Sequence, residues 1–423
     1  MLPLRPGTAV VLGLHKEIVM PSSLQTRRGF MGLSLLGLGL AGTALAQKTY
    51  GPGASDTEIK IGQTMAYSCP LSAYGALGKV EAAYFRKIND EGGIRGRMIN
   101  FISLDDGYNP AKTVEGVRRL VEQDEVLFLA GSLGTPTNLA VKAYLHARKV
   151  PLLFLSTGGS MWNNPQAEPW VMGWAPNYFS EGRIYAHHIL ATKPNARIAV
   201  LYQNDDTGKD YLNGFKDGLG DQSKLIVAEL SYEVTAPTLD SQLVQMQAAG
   251  ADVLFDQTTP KLAAQVIRRM SEMGWKPVHY LNNIAASIGA VLVPAGLDNA
   301  KGLISTIYLK DTTDPQLADD PAVKEWTAFM KKYNPSGNLL DSINVSGYSV
   351  AQTVVQVLMQ CGDDLSRENV MRQAAALKNL ELGLLMPGVK INTSPTDHAP
   401  IKSLRMRRFD GKQWIAFGEV MGR

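Results

Sequence analysis

Short β-rich runs alternate with segments of helical period along nearly the whole chain, and that alternation leaves few folds open. Residues 59–65 read as a strand. Residues 78–89 place Val80, Tyr84 and Ile88 on one helical face and stop at Glu91-Gly92-Gly93. A strand at 98–105, a helix at 110–123 with Val114, Val117 and Val121 on one face, and a strand at 126–130 complete a βαβαβ unit. Strand, crossover and strand pack back on one another only as a right-handed parallel arrangement, so the expectation is a parallel sheet with helices on both faces. A second set repeats this grammar without its letters: strands at 197–203, 225–230, 252–256 and 278–281, helices at 208–219, 239–249 and 260–273. Two α/β lobes of similar size follow. Residues 302–309 read as a further strand, and 321–332, 346–360 and 366–377 as three helices. In the tail, RRFDGKQW suits an antiparallel addition at a sheet edge, with Asp410-Gly411 as a two-residue hairpin turn.

The N-terminal region reads as an export signal. Arg27 and Arg28 precede an apolar run from Met31 to Leu45, and the small residues Ala44 and Ala46 fit cleavage after Ala46. The paired arginines resemble a twin-arginine signal, though Gly32 stands where a lysine is usual, so the general secretory route stays open. The run is shorter than the ~20 residues of a membrane span and rich in glycine. Met20 is a plausible start, with residues 1–19 upstream. Cleavage removes four basic residues (Arg5, Lys16, Arg27, Arg28) and the acid Glu17 from the chain's 42 and 39, leaving 38 of each. Balanced charge gives no footprint for nucleic acid or an anionic membrane. The two cysteines, Cys69 and Cys361, imply no disulfide framework, and a single bridge between them is left open.

In open α/β sheets ligands sit beyond the carboxyl ends of the strands. After the strand ending at Ala130 comes GSLGTPTN, where Thr135 can cap a helix with Pro136 at its first position. After the next strand comes STGGS, in which Gly158 and Gly159 permit close backbone approach and Ser160 offers a hydroxyl. Taken singly, each is ordinary turn chemistry. On neighbouring strands, they converge on one carboxylate-sized target. Tyr67, Tyr74, Trp162 and Tyr178 lie near strand ends, where aromatics can wall a pocket.

Competing chemistry is weaker. The chain has no G-x-x-x-x-G-K-[ST] phosphate loop, and GGSMW is not the G-x-S-x-G of a nucleophile elbow. His187 and His188 are adjacent, so on a helix they diverge by about 100° and cannot share a metal. Asp105-Asp106 and Asp205-Asp206 read as loop and cap residues rather than an acid/base pair. We therefore expect no catalysis, no metal and no cofactor.

The order of IKIGQTMAYSCPLSAYG, FRKINDEGGIRGRMINFISLDD, AKTVEGVRRLVEQDEV and AVLYQNDDTGKDYLNGF resembles the type I periplasmic solute-binding proteins of ABC importers, the group of the leucine/isoleucine/valine-binding protein. The resemblance implies two Rossmann-like, doubly wound lobes joined by three crossings and closing on solute in the cleft between them: 57–174 with 302–386, and 175–301 with 387–423. It implies a monomer in the periplasm, working with an inner-membrane permease and its ATPase. By position, Tyr74 matches the aromatic that covers the ligand, Thr135 the hydroxyl that holds its carboxylate, Gly158 and Ser160 the loop that contributes backbone and hydroxyl contacts, and Tyr178 the second lobe's contact. Amino-acid binders carry a Glu for the ammonium group; here the matching position is Asn283, and an amide cannot pair with an ammonium as a carboxylate does. Thr258 or Thr259 replaces an aromatic nearby. The branch with NDDxGKDY and DHAP includes binders of lignin-derived aromatic acids. The implied ligand is thus a small organic carboxylate of benzoate or hydroxycinnamate type, with Trp162 as a further wall and Thr258 and Asn283 selecting polar substituents. An amino-acid binder and a ligand-sensing receptor stay as alternatives.

Overall fold

The computed structural model describes residues 48–422; the export segment and its cleavage point lie outside the described residues. A short strand β1 (Thr49–Tyr50) leads into β2 (Glu58–Met65), β3 (Met98–Asp105), β4 (Phe128–Ala130), β5 (Leu152–Leu155) and β6 (Val171–Gly173). The last five form one sheet in the order β3-β2-β4-β5-β6, every pair parallel. Next come β7 (Ile198–Gln203), β8 (Ile226–Tyr232), β9 (Val253–Gln257), β10 (Val278–Leu281) and β11 (Ile304–Ile307). Then follow β12 (Asp364–Leu365), which pairs with β1, and a final hairpin of β13 (Leu404–Phe409) and β14 (Trp414–Met421). The second sheet runs β14-β13-β11-β10-β9-β7-β8, parallel from β8 to β11 and antiparallel at the hairpin.

Helices on both faces explain why the central strands are continuous apolar runs rather than alternating ones: all four residues of β5 are buried. The helices start where their caps place them. Asn109 accepts the Ala111 N–H at 2.9 Å beside Pro110, and Asp205 accepts the N–H groups of Thr207 and Gly208 at 2.9 and 3.2 Å. Two helices, Tyr178–Thr192 and Asp206–Leu219, pack backbone to backbone. A Cβ on Gly214 would stand 2.0 Å from the Phe179 carbonyl oxygen, and one on Gly182 would stand 2.5 Å from that of Tyr211. This contact stacks the Tyr178 ring on Tyr211, with centroids 4.4 Å apart and 19° between planes.

The chain passes between sheets three times: after β6, after β11 and before β13. Between the last two passages, helix Ser342–Cys361 packs on helix Gly75–Asp90 of the first lobe. Three expectations change. The strand within 302–309, expected in the first lobe, is β11 and belongs to the second sheet, because it pairs with β10 on one side and β13 on the other. The hairpin turn spans the four residues 410–413, since Phe409 is the partner of Trp414 and the Asp410 side chain accepts the N–H groups of Lys412 and Gln413. Thr135 is the first helical residue, not the cap; Gly134, at φ +92°, holds that position. Cys69 is exposed, Cys361 is buried, and both are free.

Candidate functional site

The strands of both lobes point their carboxyl ends at one cavity. Tyr74 follows β2, Tyr108 follows β3, Trp174 follows β6, Thr207 follows β7 and Tyr308 follows β11, and all of them line it. The space open to the centre of a water-sized sphere is about 130 Å³, roughly ten times what one water requires, so the cavity suits a small organic molecule.

The lobes touch around it. The Tyr74 hydroxyl donates to the Ile284 carbonyl at 3.2 Å, and the Gln203 side-chain amide donates to the Tyr108 hydroxyl at 3.3 Å. Tyr178 opens its helix under an Asn177 cap, and its hydroxyl accepts from Thr157 at 3.3 Å. Burial pushes the Tyr178 phenol up to about 12, which keeps it a neutral donor.

Of the eight residues singled out in the sequence, Tyr74, Tyr178 and Asn283 line the cavity. The other five do not. Thr135 is fully buried behind the wall and shares a 2.6 Å hydrogen bond with Thr157, which takes its place at the lining. Gly158 is held by protein packing rather than by an approaching ligand: a Cβ there would meet the Pro176 carbonyl at 2.5 Å and the Tyr178 ring at 2.7 Å. Ser160 gives its N–H and hydroxyl to Asp210. Trp162 is fully buried in the first lobe's core with Val141, Leu155 and Val171, so Trp174, whose indole N–H donates to Thr353 at 2.9 Å, is the tryptophan at the cavity. Thr258 turns inward to Asp256 at 2.6 Å, leaving Thr259 at the lining.

Two further residues matter that the sequence motifs do not mark: Glu181, which stands behind Asn283 and off the lining, and Arg407. Glu181 is completely buried, and five donors surround its carboxylate: the hydroxyls of Tyr185 (2.6 Å), Tyr211 (2.8 Å) and Thr306 (2.9 Å), the Asn283 N–H (2.9 Å) and the Asn283 side-chain amide. With its lone pairs engaged, this carboxylate has no site left for a ligand's ammonium group. Burial raises its pKa against the pull of those hydrogen bonds. Arg407, on β13, is 5% exposed and lines the cavity. Among the described residues it makes no ion pair, its Nε has no hydrogen-bond partner, and its guanidinium lies 4.3 Å over the Trp414 ring. Burial draws it down to about 10, which leaves it charged at neutral pH. Phe409, two residues on, is buried on the same face of the strand, and that period-two pairing is the signal that could have marked Arg407 as inward-facing.

Comparison with known proteins agrees with this geometry. Residues 58–413 match the family model described as periplasmic binding protein. The Leu/Ile/Val-binding protein homolog 7 of Brucella abortus (strain 2308) is 22% identical over 357 residues, covering 81% of this chain and 87% of its own. A branched-chain amino acid ABC transporter protein from Thermus thermophilus with bound valine superposes with TM-score 0.78 at 17% identity, covering 88% of this chain and 98% of that one. A solute-binding protein of an ABC transporter from R. palustris, in complex with 4-hydroxybenzoate, does so with TM-score 0.72 at 18% identity, covering 86% and 97%. With its family model spanning both lobes and the cavity between them, the chain belongs to the periplasmic binding proteins, in the type I, Leu/Ile/Val-binding group.

Proposed function

We propose that this protein captures a small organic carboxylate, of aromatic-acid type, in the periplasm and delivers it to an ABC permease and its ATPase without chemical change. The observation that carries the reading is Arg407: a buried guanidinium that makes no ion pair among the described residues, at a cavity walled by Tyr74, Tyr108, Trp174, Tyr178 and Tyr308. A buried charge is costly until it is paired, and a carboxylate can pair with this planar fork through two parallel hydrogen bonds. The rings offer an aromatic body stacking and edge contacts. Glu181, saturated and off the lining, offers no partner for an amine. The lobes, 57–174 with 308–386 and 175–307 with 387–423, would hinge at the three passages. The R. palustris protein bound to 4-hydroxybenzoate offers a precedent within the fold.

A second reading rests on Asp311, which also lines the cavity and whose Oδ1 alone is engaged, by the N–H and hydroxyl of Thr313 at 3.0 and 2.6 Å. Arg407 and Asp311 together would suit an amino acid, as in the Thermus thermophilus protein with valine. Thermal shift of the mature chain against benzoates, hydroxycinnamates and branched-chain amino acids separates the two. A true ligand at a hundredfold excess over Kd stabilises by about 2.7 kcal/mol. Stabilisation by aromatic acids alone is expected; stabilisation by leucine or valine, lost in Asp311→Asn, would establish the second reading instead.

A further inference from the structure

Two serine–carboxylate contacts join the lobes through side chains that do not themselves line the cavity. Ser160, between β5 and β6 of the first lobe, gives its N–H (2.8 Å) and hydroxyl (2.6 Å) to Asp210 on the second lobe's helix Asp206–Leu219. The exchange is reversed at the other contact. Ser287, between β10 and β11 of the second lobe, gives its hydroxyl to Asp341 at 2.7 Å, just before the first lobe's helix Ser342–Cys361. A backbone bond from Gly289 N–H to the Leu340 carbonyl, 2.8 Å, lies alongside it. These contacts leave the second sheet from β7 and β10, with β9 between them, so at the level of the strand ends they stand on the order of 10 Å apart. All four side chains are at most partly exposed, and Asp210 and Asp341 are both 8% exposed, so each carboxylate is desolvated when the lobes meet; Ser160 is then the donor to Asp210, while Asp341 has Ser287 besides the Ile343 N–H that it caps at 3.0 Å.

We propose that Ser160–Asp210 and Ser287–Asp341 form a reciprocal latch that sets the balance between open and closed cleft, and thereby scales affinity for every ligand by one common factor. The latch bonds exist only while the lobes are together, so weakening them lowers the closed fraction, and apparent affinity falls with that fraction whatever occupies the cavity. This holds whether the occupant is an aromatic acid or an amino acid.

The test compares wild type, Ser160→Ala, Ser287→Ala, the double variant and the conservative Ser160→Thr. Small-angle scattering of the ligand-free proteins reads the cleft directly, and calorimetry with 4-hydroxybenzoate, 4-hydroxycinnamate and leucine gives Kd for those that bind. The expected result is a larger radius of gyration in the double variant, Kd raised at least tenfold and by the same factor for each binder, faster dissociation with little change in association, and partial recovery in Ser160→Thr. Unchanged scattering would overturn the latch, as would a lowered melting temperature with unchanged Kd, or a loss confined to one ligand. If no probe binds, the carboxylate reading fails and scattering alone decides the latch.

Discussion

The guanidinium of Arg407 lies 4.3 Å over the indole ring of Trp414, its diagonal neighbour across the final hairpin. The ring face attracts the cation, and in the proposed function its N–H donors would meet the incoming anion. Lysine would keep the charge but not the fork. Arg407→Lys is therefore expected to weaken an aromatic carboxylate at least tenfold (about 1.4 kcal/mol) in calorimetry, and Arg407→Ala to abolish measurable binding. Equal affinity of Arg407→Ala and wild type would remove Arg407 from the site.

Glu181 is expected to matter for stability. In Glu181→Gln one of the two oxygens that accept from five donors becomes an NH2 group, which then faces hydroxyls that had been donating to it. Chemical unfolding should show a loss of about 1–3 kcal/mol. A variant as stable as wild type would contradict this count of donors.

Glu81 predicts a pH dependence. It is 1% exposed, with Gln63 as its sole hydrogen-bond partner among the described residues, and burial holds its carboxyl well above the ordinary 4.5. The folded chain thus keeps a proton that the unfolded chain has released. That contribution to stability is fully present below 4.5 and is lost as pH rises through the folded-state value. Melting temperature measured between about pH 4 and 8 should fall more steeply with pH in wild type than in Glu81→Gln. Parallel profiles would count against Glu81 as the source.

The two tryptophans should separate cleanly. Trp162→Ala empties a fully buried position in the first lobe and is expected to cost about 3–5 kcal/mol of stability. Trp174→Phe, at the cavity and deprived of its bond to Thr353, should lower ligand affinity severalfold. An affinity loss in Trp162→Phe with full stability would return Trp162 to the pocket wall.

Much of the fold could be read because its signals are local. The 98–105 strand and the Pro110 and Pro260 helix starts stand where periodicity and capping placed them. The sheet that receives a strand is a different matter, fixed by pairing partners far off in sequence, so the local pattern puts β11 in the wrong lobe. The site shows the same division. Tyr74 and Tyr178 follow strand ends, and both line the cavity as that rule expects. Trp162 also follows one, but it turns into the core, and nothing local distinguishes the two directions. Asp210 claimed Ser160 from the opposite lobe, a contact that exists only in three dimensions.

Most residues at the cavity come from strand ends in the first three hundred positions, whereas Arg407 comes from the closing hairpin. During synthesis, which runs from the N-terminus, the segments carrying the aromatic walls therefore emerge long before the one carrying Arg407. Lys310, the other cation at the lining, comes earlier but is tied to Asp320 at 2.6 Å, so the unpaired cation joins the cavity only when β13 docks beside β11.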